Sequence, residues 1–149
     1  QVARRAGRGE RRGEAIVQTL YPEHYSIQLA CRQDYPAFFE REIAYRRGMR
    51  YPPFVALINA VVRGPSFEEA MQHARDIVRR LEPASAAGGF TILGPAPAPL
   101  VRLRGEHRVQ FFLKGSRRAD MRGALMEVVA AMPEIRRRLT IDVDPLSVL

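Results

Sequence analysis

Between positions 54 and 62 nearly every residue is apolar, as expected of a central strand covered on at least one face. The period then changes. Phe67, Ala70, Met71, Ala74, Ile77, Val78 and Leu81 recur at steps of three and four, which winds them onto one side of a helix. Ser66 and Glu69 make a capping box at its start, and Gly88-Gly89 closes the unit. Residues 90–93 begin a strand that Pro95, Pro97 and Pro99 interrupt, and it resumes over residues 100–104. Residues 107–114 alternate apolar and polar, which predicts another strand. Ser116 is placed to cap a helix carrying Met121, Leu125, Val128, Val129 and Met132 on one side. Residues 139–144 alternate strictly up to Pro145, a stop.

The order β-α-β-β-α-β over residues 54–145 predicts an α+β fold of the ferredoxin-like, split βαβ kind. Both helices cover one face of the sheet and leave the other open. Upstream, residues 1–14 are polar and rich in Gly and Arg, reading as a loop or helix end, and residues 15–19 read as a short strand. A short helix follows Pro22, with Tyr25, Ile27, Leu29 and Ala30 on a partly apolar face. Asp34 caps a second helix with Pro36 in its first turn, and this helix runs to Gly48. Tyr51-Pro52-Pro53-Phe54 is a rigid breaker, so the pattern divides the chain into residues 1–50 and 51–149.

Charge sharpens the picture of the open face. The net charge is +8, and of 24 basic residues only Lys114 is lysine. A polyanionic partner fits this balance, and so does a plain compositional bias towards arginine. Placement decides between them. If Val109, Phe111 and Leu113 face the helices, then Arg108, Gln110, Phe112 and Lys114 share the open face. If Val101 and Leu103 also point inwards, Arg102 and Arg104 join that face across a hairpin. Cations for phosphate around an aromatic platform for a base are what a single-strand binding surface needs. A solvated polar sheet face accounts for the same pattern without a ligand.

Arg117 and Arg118 fall in the first turn of a helix, where the positive dipole end disfavours cations. With free N–H groups beside them they would form an anion pocket for phosphate or carboxylate; two exposed arginines are the plainer alternative. Arg136-Arg137-Arg138 reads as a solvated turn, and Asp142 and Asp144 as edge charges.

Several kinds of chemistry find no support. The chain has no G-x-x-x-x-G-K-[ST] phosphate loop, and His24, His73 and His107 match no metal spacing. One cysteine, Cys31, excludes an internal disulfide and reads as a buried or half-buried thiol in a reduced, cytoplasmic compartment. No apolar run approaches the roughly 18 residues that span a bilayer, so no membrane partner is expected. An enzyme acting alone is not expected.

The opening Gln1-Val2-Ala3-Arg4-Arg5-Ala6-Gly7-Arg8 resembles the last motif of superfamily 2 helicases, Q-x-x-G-R-x-G-R, with Arg4 in place of a glycine. Gln18-Thr19, Pro22, His24, Asp34-Tyr35, Phe38, Glu42, Arg46-Arg47 and Tyr51-Pro52-Pro53-Phe54 follow in order. Gly94-Pro95-Ala96-Pro97-Ala98-Pro99-Leu100 comes next, then Arg102-Leu103-Arg104-Gly105, Arg108, Gln110, Lys114 and Asp142-Val143-Asp144-Pro145. Together these segments resemble the bacterial primosomal replication-restart helicase family, primosomal protein N′, over the full length. Glu106-His107 stands where that family usually has a basic and an aromatic residue.

The resemblance implies the C-terminal piece of an ATP-dependent DNA helicase that moves 3′ to 5′ and reloads the replication machinery at stalled forks. It implies partners in single-stranded and forked DNA, single-strand DNA-binding protein and other primosome proteins. ATP, Mg²⁺ and a structural Zn²⁺ are implied for the whole family, with the phosphate loop and zinc cysteines upstream of this piece. By motif match Gln1 belongs to the ATP-binding motif, while Arg5 and Arg8 would meet the ATP phosphates. A piece without the phosphate loop is not expected to turn over ATP alone. Two readings of other classes stand beside this one: a free-standing nucleic-acid module, and a domain whose arginines dock an acidic peptide.

Overall fold

A computed structural model describes residues 14–145, and the chain divides into two compact units between Tyr45 and Arg46. In the first, residues 15–19 form no strand. The sequence predicts one there, but a lone strand leaves its backbone groups without a ladder partner. Ile16 accordingly stands 89% exposed. Helix α1 (Tyr25–Cys31) starts later than the proline suggests, because His24 is its N-cap, with Nδ1 accepting from the Ser26 N–H. Helix α2 (Tyr35–Gly48) begins as expected, the Asp34 carboxylate accepting from the Ala37 N–H at 3.1 Å. Tyr25 donates to Glu42 across these helices, with Arg41 4.8 Å over its ring. Neither helix contains a fully buried residue, and Cys31 is exposed rather than buried.

The second unit is built on a four-stranded antiparallel sheet in the order β2-β3-β1-β4. Its elements are β1 (Ala56–Gly64), α3 (Phe67–Ala86), β2 (Phe90–Leu103), β3 (Glu106–Gly115), α4 (Arg118–Ala130), the short α5 (Pro133–Arg136) and β4 (Leu139–Val143). This is the ferredoxin-like succession that the sequence predicts, with α5 added. The helix-side residues Ile58, Ala60, Val62, Val109, Phe111 and Leu113 are buried against Ala74, Ile77, Leu81, Met121 and Leu125 in one core. Ser66 caps α3, its hydroxyl accepting from the Glu69 N–H at 3.1 Å. Glu69 itself pairs with Arg138, so that part of the arginine run is tied to α3 rather than solvated.

Two elements differ from expectation. The prolines do not end β2, which runs from Phe90 to Leu103 at the edge of the sheet, although its ladder to β3 slips on either side of Ala96-Pro97. On an edge strand a residue without an N–H takes no bond from a ladder. Ser116 does not cap α4; the N-cap is Arg117, which makes no side-chain capping bond.

Candidate nucleic-acid interface

Register shows which side chains share the face opposite α3 and α4. Across β1 and β3, Leu57 opposes Lys114, Asn59 opposes Phe112, Val61 opposes Gln110 and Arg63 opposes Arg108. These pairs stand opposite in parity to buried Val109, Phe111 and Leu113, so Arg108, Gln110, Phe112 and Lys114 do share the open face. Leu93 and Ala96 of β2 join them, opposite Phe112 and Gln110.

Arg102 and Arg104 do not. Arg102 opposes His107, on the helix-side parity, and Leu103 opposes Glu106 on the open side. The ladder slips twice, between Leu93 and Ala96 and between Pro97 and Arg102. The first slip exchanges the faces of β2 and the second exchanges them back, so Phe90, Ile92 and Arg102 share one parity. What fails is the apolar-inward premise, because Leu100, Val101, Arg102 and Leu103 are all exposed at this end. Arg104 belongs to no strand face. With Gly105 it forms the two-residue hairpin turn, at φ 52° and 85°, where positive φ matches the twist of the strands.

The cations of the open face are therefore Arg63, Arg108 and Lys114, and they are unequally available. Lys114 donates from Nζ to the Met49 carbonyl at 2.9 Å and lies 4.5 Å over the Tyr51 ring. Arg63 forms an ion pair with Glu106 at 3.2 Å and donates to the Arg137 carbonyl at 2.8 Å. Arg63 is the member of this face that sequence reasoning passed over. The signal was there: Asn59 and Arg63 are polar positions four apart in an otherwise apolar strand, hence on one face.

At the start of α4, Arg117 pairs with Asp120 at 2.8 Å and Arg118 pairs with Asp144. The two guanidiniums that would make an anion pocket are thus already held by carboxylates. Asp144 is more than an edge charge. It accepts from the Leu57 N–H at 2.9 Å and donates its own N–H to the Leu57 carbonyl at 2.7 Å, beyond the end of β4.

Gln1, Arg5 and Arg8 lie outside the described residues. Among the described residues no three His, Cys, Asp or Glu side chains stand together in a way that could hold a metal ion, and no helix is long and apolar enough to cross a membrane.

The arrangement offers fixed cations beside an aromatic, largely apolar sheet surface. Its sequence relatives have a consistent identity. The family model for the primosomal protein N C-terminal domain matches residues 47–146, which take in the whole sheet. The replication restart protein PriA of Bacillus subtilis is 33% identical over 153 residues, covering 100% of this chain and 19% of that protein. PriA of Haemophilus influenzae is 35% identical over 150 residues, covering 97% of this chain and 20% of that protein. PriA of Synechocystis is 32% identical over 157 residues, covering 99% and 18%. The chain spans about a fifth of the length of these curated relatives. With its full sheet inside the matched region, this chain belongs to the primosomal protein N C-terminal domain family.

Proposed function

We propose that this chain is the C-terminal part of an ATP-dependent 3′-to-5′ DNA helicase that restarts stalled replication forks. Its own contribution is a DNA-contacting surface on the side of the sheet opposite α3 and α4. The observation that carries this reading is the placement of Arg63 and Arg108 directly opposite each other there, beside Gln110 and Phe112. Guanidiniums fixed on a sheet neutralise backbone phosphates, and counterion release makes that contact salt-dependent. Phe112 supplies an apolar platform, while Lys114 holds residues 49–51 against the same surface. Arg104, at the hairpin turn, and Arg102 beside it extend the positive charge beyond that surface.

In the intact parent, Gln1, Arg5 and Arg8 belong to the ATP-binding motif, with Arg5 and Arg8 directed to the nucleotide phosphates and Mg²⁺ serving the same phosphates. Structural zinc and the phosphate loop belong to other parts of that parent. Arg117 and Arg118 are the contact for an acidic peptide such as a tail of single-strand DNA-binding protein. Such a tail has to displace Asp120 and Asp144 from them.

The test is the affinity of the chain for a single-stranded oligonucleotide as a function of salt. Each phosphate contact contributes about 0.7 to the slope of log K against log salt for a single strand. Replacing Arg63 and Arg108 together with Ala lowers the slope by about 1.4 if each meets one phosphate. An unchanged slope removes this face as the DNA contact.

A further inference from the structure

The open face has a recess as well as cations. Tyr51, Leu57, Leu93, Ala96 and Phe112 give it apolar walls, Gln110 is its polar member, and its volume is about 310 Å³. That lies at the small end of the roughly 300–1,000 Å³ range of ligand pockets. Three features build it. The ladder skips residues between Leu93 and Ala96, so β2 bulges away from β3 at this point. Gly94, at φ +99°, lines the bulge, and a Cβ there would meet the Gln110 carbonyl oxygen at 3.1 Å. Tyr51 is held as a wall by the Lys114 ammonium 4.5 Å from its ring centre. The depth of the recess shows in Leu57, only 4% exposed although it lies on the face opposite α3 and α4.

We infer that this recess receives one unstacked nucleobase of a single-stranded DNA whose backbone runs past Arg108 and Arg63. The inference rests on the DNA-contact reading above and adds base engagement to it. Charge complementarity selects the occupant: the recess shares its face with two guanidiniums, which suit the polyanionic backbone of the strand that carries the base. Arg108 lies four residues from Phe112 on the same strand, roughly 13 Å at about 3.3 Å per residue. A base seated at Phe112 therefore leaves its neighbouring phosphates within reach of the arginines. Two aromatic rings offer faces for stacking, and the Gln110 amide can both donate to and accept from a base edge. Stacking of this kind tolerates any base, so the recess adds affinity with little sequence preference.

The experiment compares the chain's affinity for an oligothymidylate and for an abasic sugar-phosphate strand of equal length. The wild-type chain binds the base-bearing strand more tightly, by about 5- to 150-fold, the range that alanine substitution of stacking aromatics produces. Phe112→Ala brings that ratio towards one. So does Phe112→Leu, which keeps apolar cover over Leu57 while removing the ring; thermal melting confirms that each variant is folded. Equal wild-type binding of the two strands, both salt-dependent, overturns the base recess and leaves the phosphate-contacting face standing. A ratio unmoved in both folded variants overturns the recess as well. Binding of neither strand removes the face and the recess together.

Discussion

Arg63 and Arg108 face each other across the β1–β3 ladder, and Glu106, at the start of β3, bonds to Arg63 at 3.2 Å. Like charges directly opposite in a sheet repel, so the carboxylate offsets an unfavourable pair. It also occupies one of the two guanidiniums of the proposed DNA contact. Glu106→Gln is therefore expected to tighten single-stranded DNA binding and to steepen its salt dependence. Both partners are more than a third exposed, so the stability cost is at most about 1 kcal/mol. Paired binding isotherms and denaturant melts of the two chains measure this.

The carboxylate of Asp144 joins the start of β1 to the start of α4 through the Leu57 N–H and Arg118. Asp144→Ala leaves the Leu57 N–H unsatisfied and places alanine at φ 51°, a left-handed conformation that Asp and Asn tolerate better. The expected loss is about 1–3 kcal/mol in urea unfolding. Asp144→Asn keeps an acceptor oxygen and loses clearly less. Equal losses in the two variants would falsify the part assigned to this hydrogen bond.

Much of this fold was legible because each element carries its own boundary signal. Ser66 caps α3, Gly88-Gly89 ends the unit, and the alternation of residues 107–114 gives the open-face parity of β3. The misreading of β2 has a local cause. Three steps along β2, from Leu93 to Ala96, answer two along β3, and five from Pro97 to Arg102 answer two more. Each odd surplus exchanges the two faces and the pair restores them, so Arg102 lies on the same side as Ile92. Apolar character is what misleads here, because Leu103 is 44% exposed and lies on the face opposite α3 and α4. Arg63 was hidden for the opposite reason: its strand is so apolar that its two polar positions read as interruptions. The recess was beyond sequence reasoning, since Tyr51 meets Leu57 and Phe112 only through the docking of residues 49–51 by Lys114.

The cap of α3 gives a simple stability test. Ser66→Ala removes the hydroxyl that accepts from the Glu69 N–H. The expected cost is about 0.5–2 kcal/mol, seen as a lower urea midpoint with an unchanged slope.

Two glycines respond in opposite directions to the same substitution. A Cβ on Gly115 would stand 2.2 Å from the Gly89 carbonyl oxygen and 2.7 Å from the Phe90 Cβ, so backbone has to shift. Gly115→Ala is expected to cost about 1–3 kcal/mol or more. Gly123, inside α4, has no atom within 4 Å of the same position. Gly123→Ala gains about 0.4–1 kcal/mol from helix preference and a less flexible unfolded chain. Thermal unfolding of the two variants should move the midpoint to opposite sides of wild type.

Tyr25, in the first unit, is shifted by its surroundings. Its hydrogen bond to Glu42, followed by partial burial and the nearby carboxylate charge, raises its pKa above the ordinary tyrosine value of 10.0. The neutral phenol is thus favoured by folding. Its stabilising contribution is fully present below about pH 10 and is lost as the pH rises through the raised value. Difference absorbance between the wild type and Tyr25→Phe isolates this residue among five tyrosines. Glu42→Gln should bring its midpoint back towards the ordinary one.

The prolines of β2 have an outcome unconnected with ligands. Pro95, Pro97 and Pro99 lie on an outermost strand, where an uninterrupted row of amide hydrogens would invite another chain to pair and start a fibre. Three missing amide hydrogens in five residues make that margin a poor template for such growth. The opposite margin is β4, only five residues long. Both margins of the sheet are in this way guarded against zippering onto copies of the same chain.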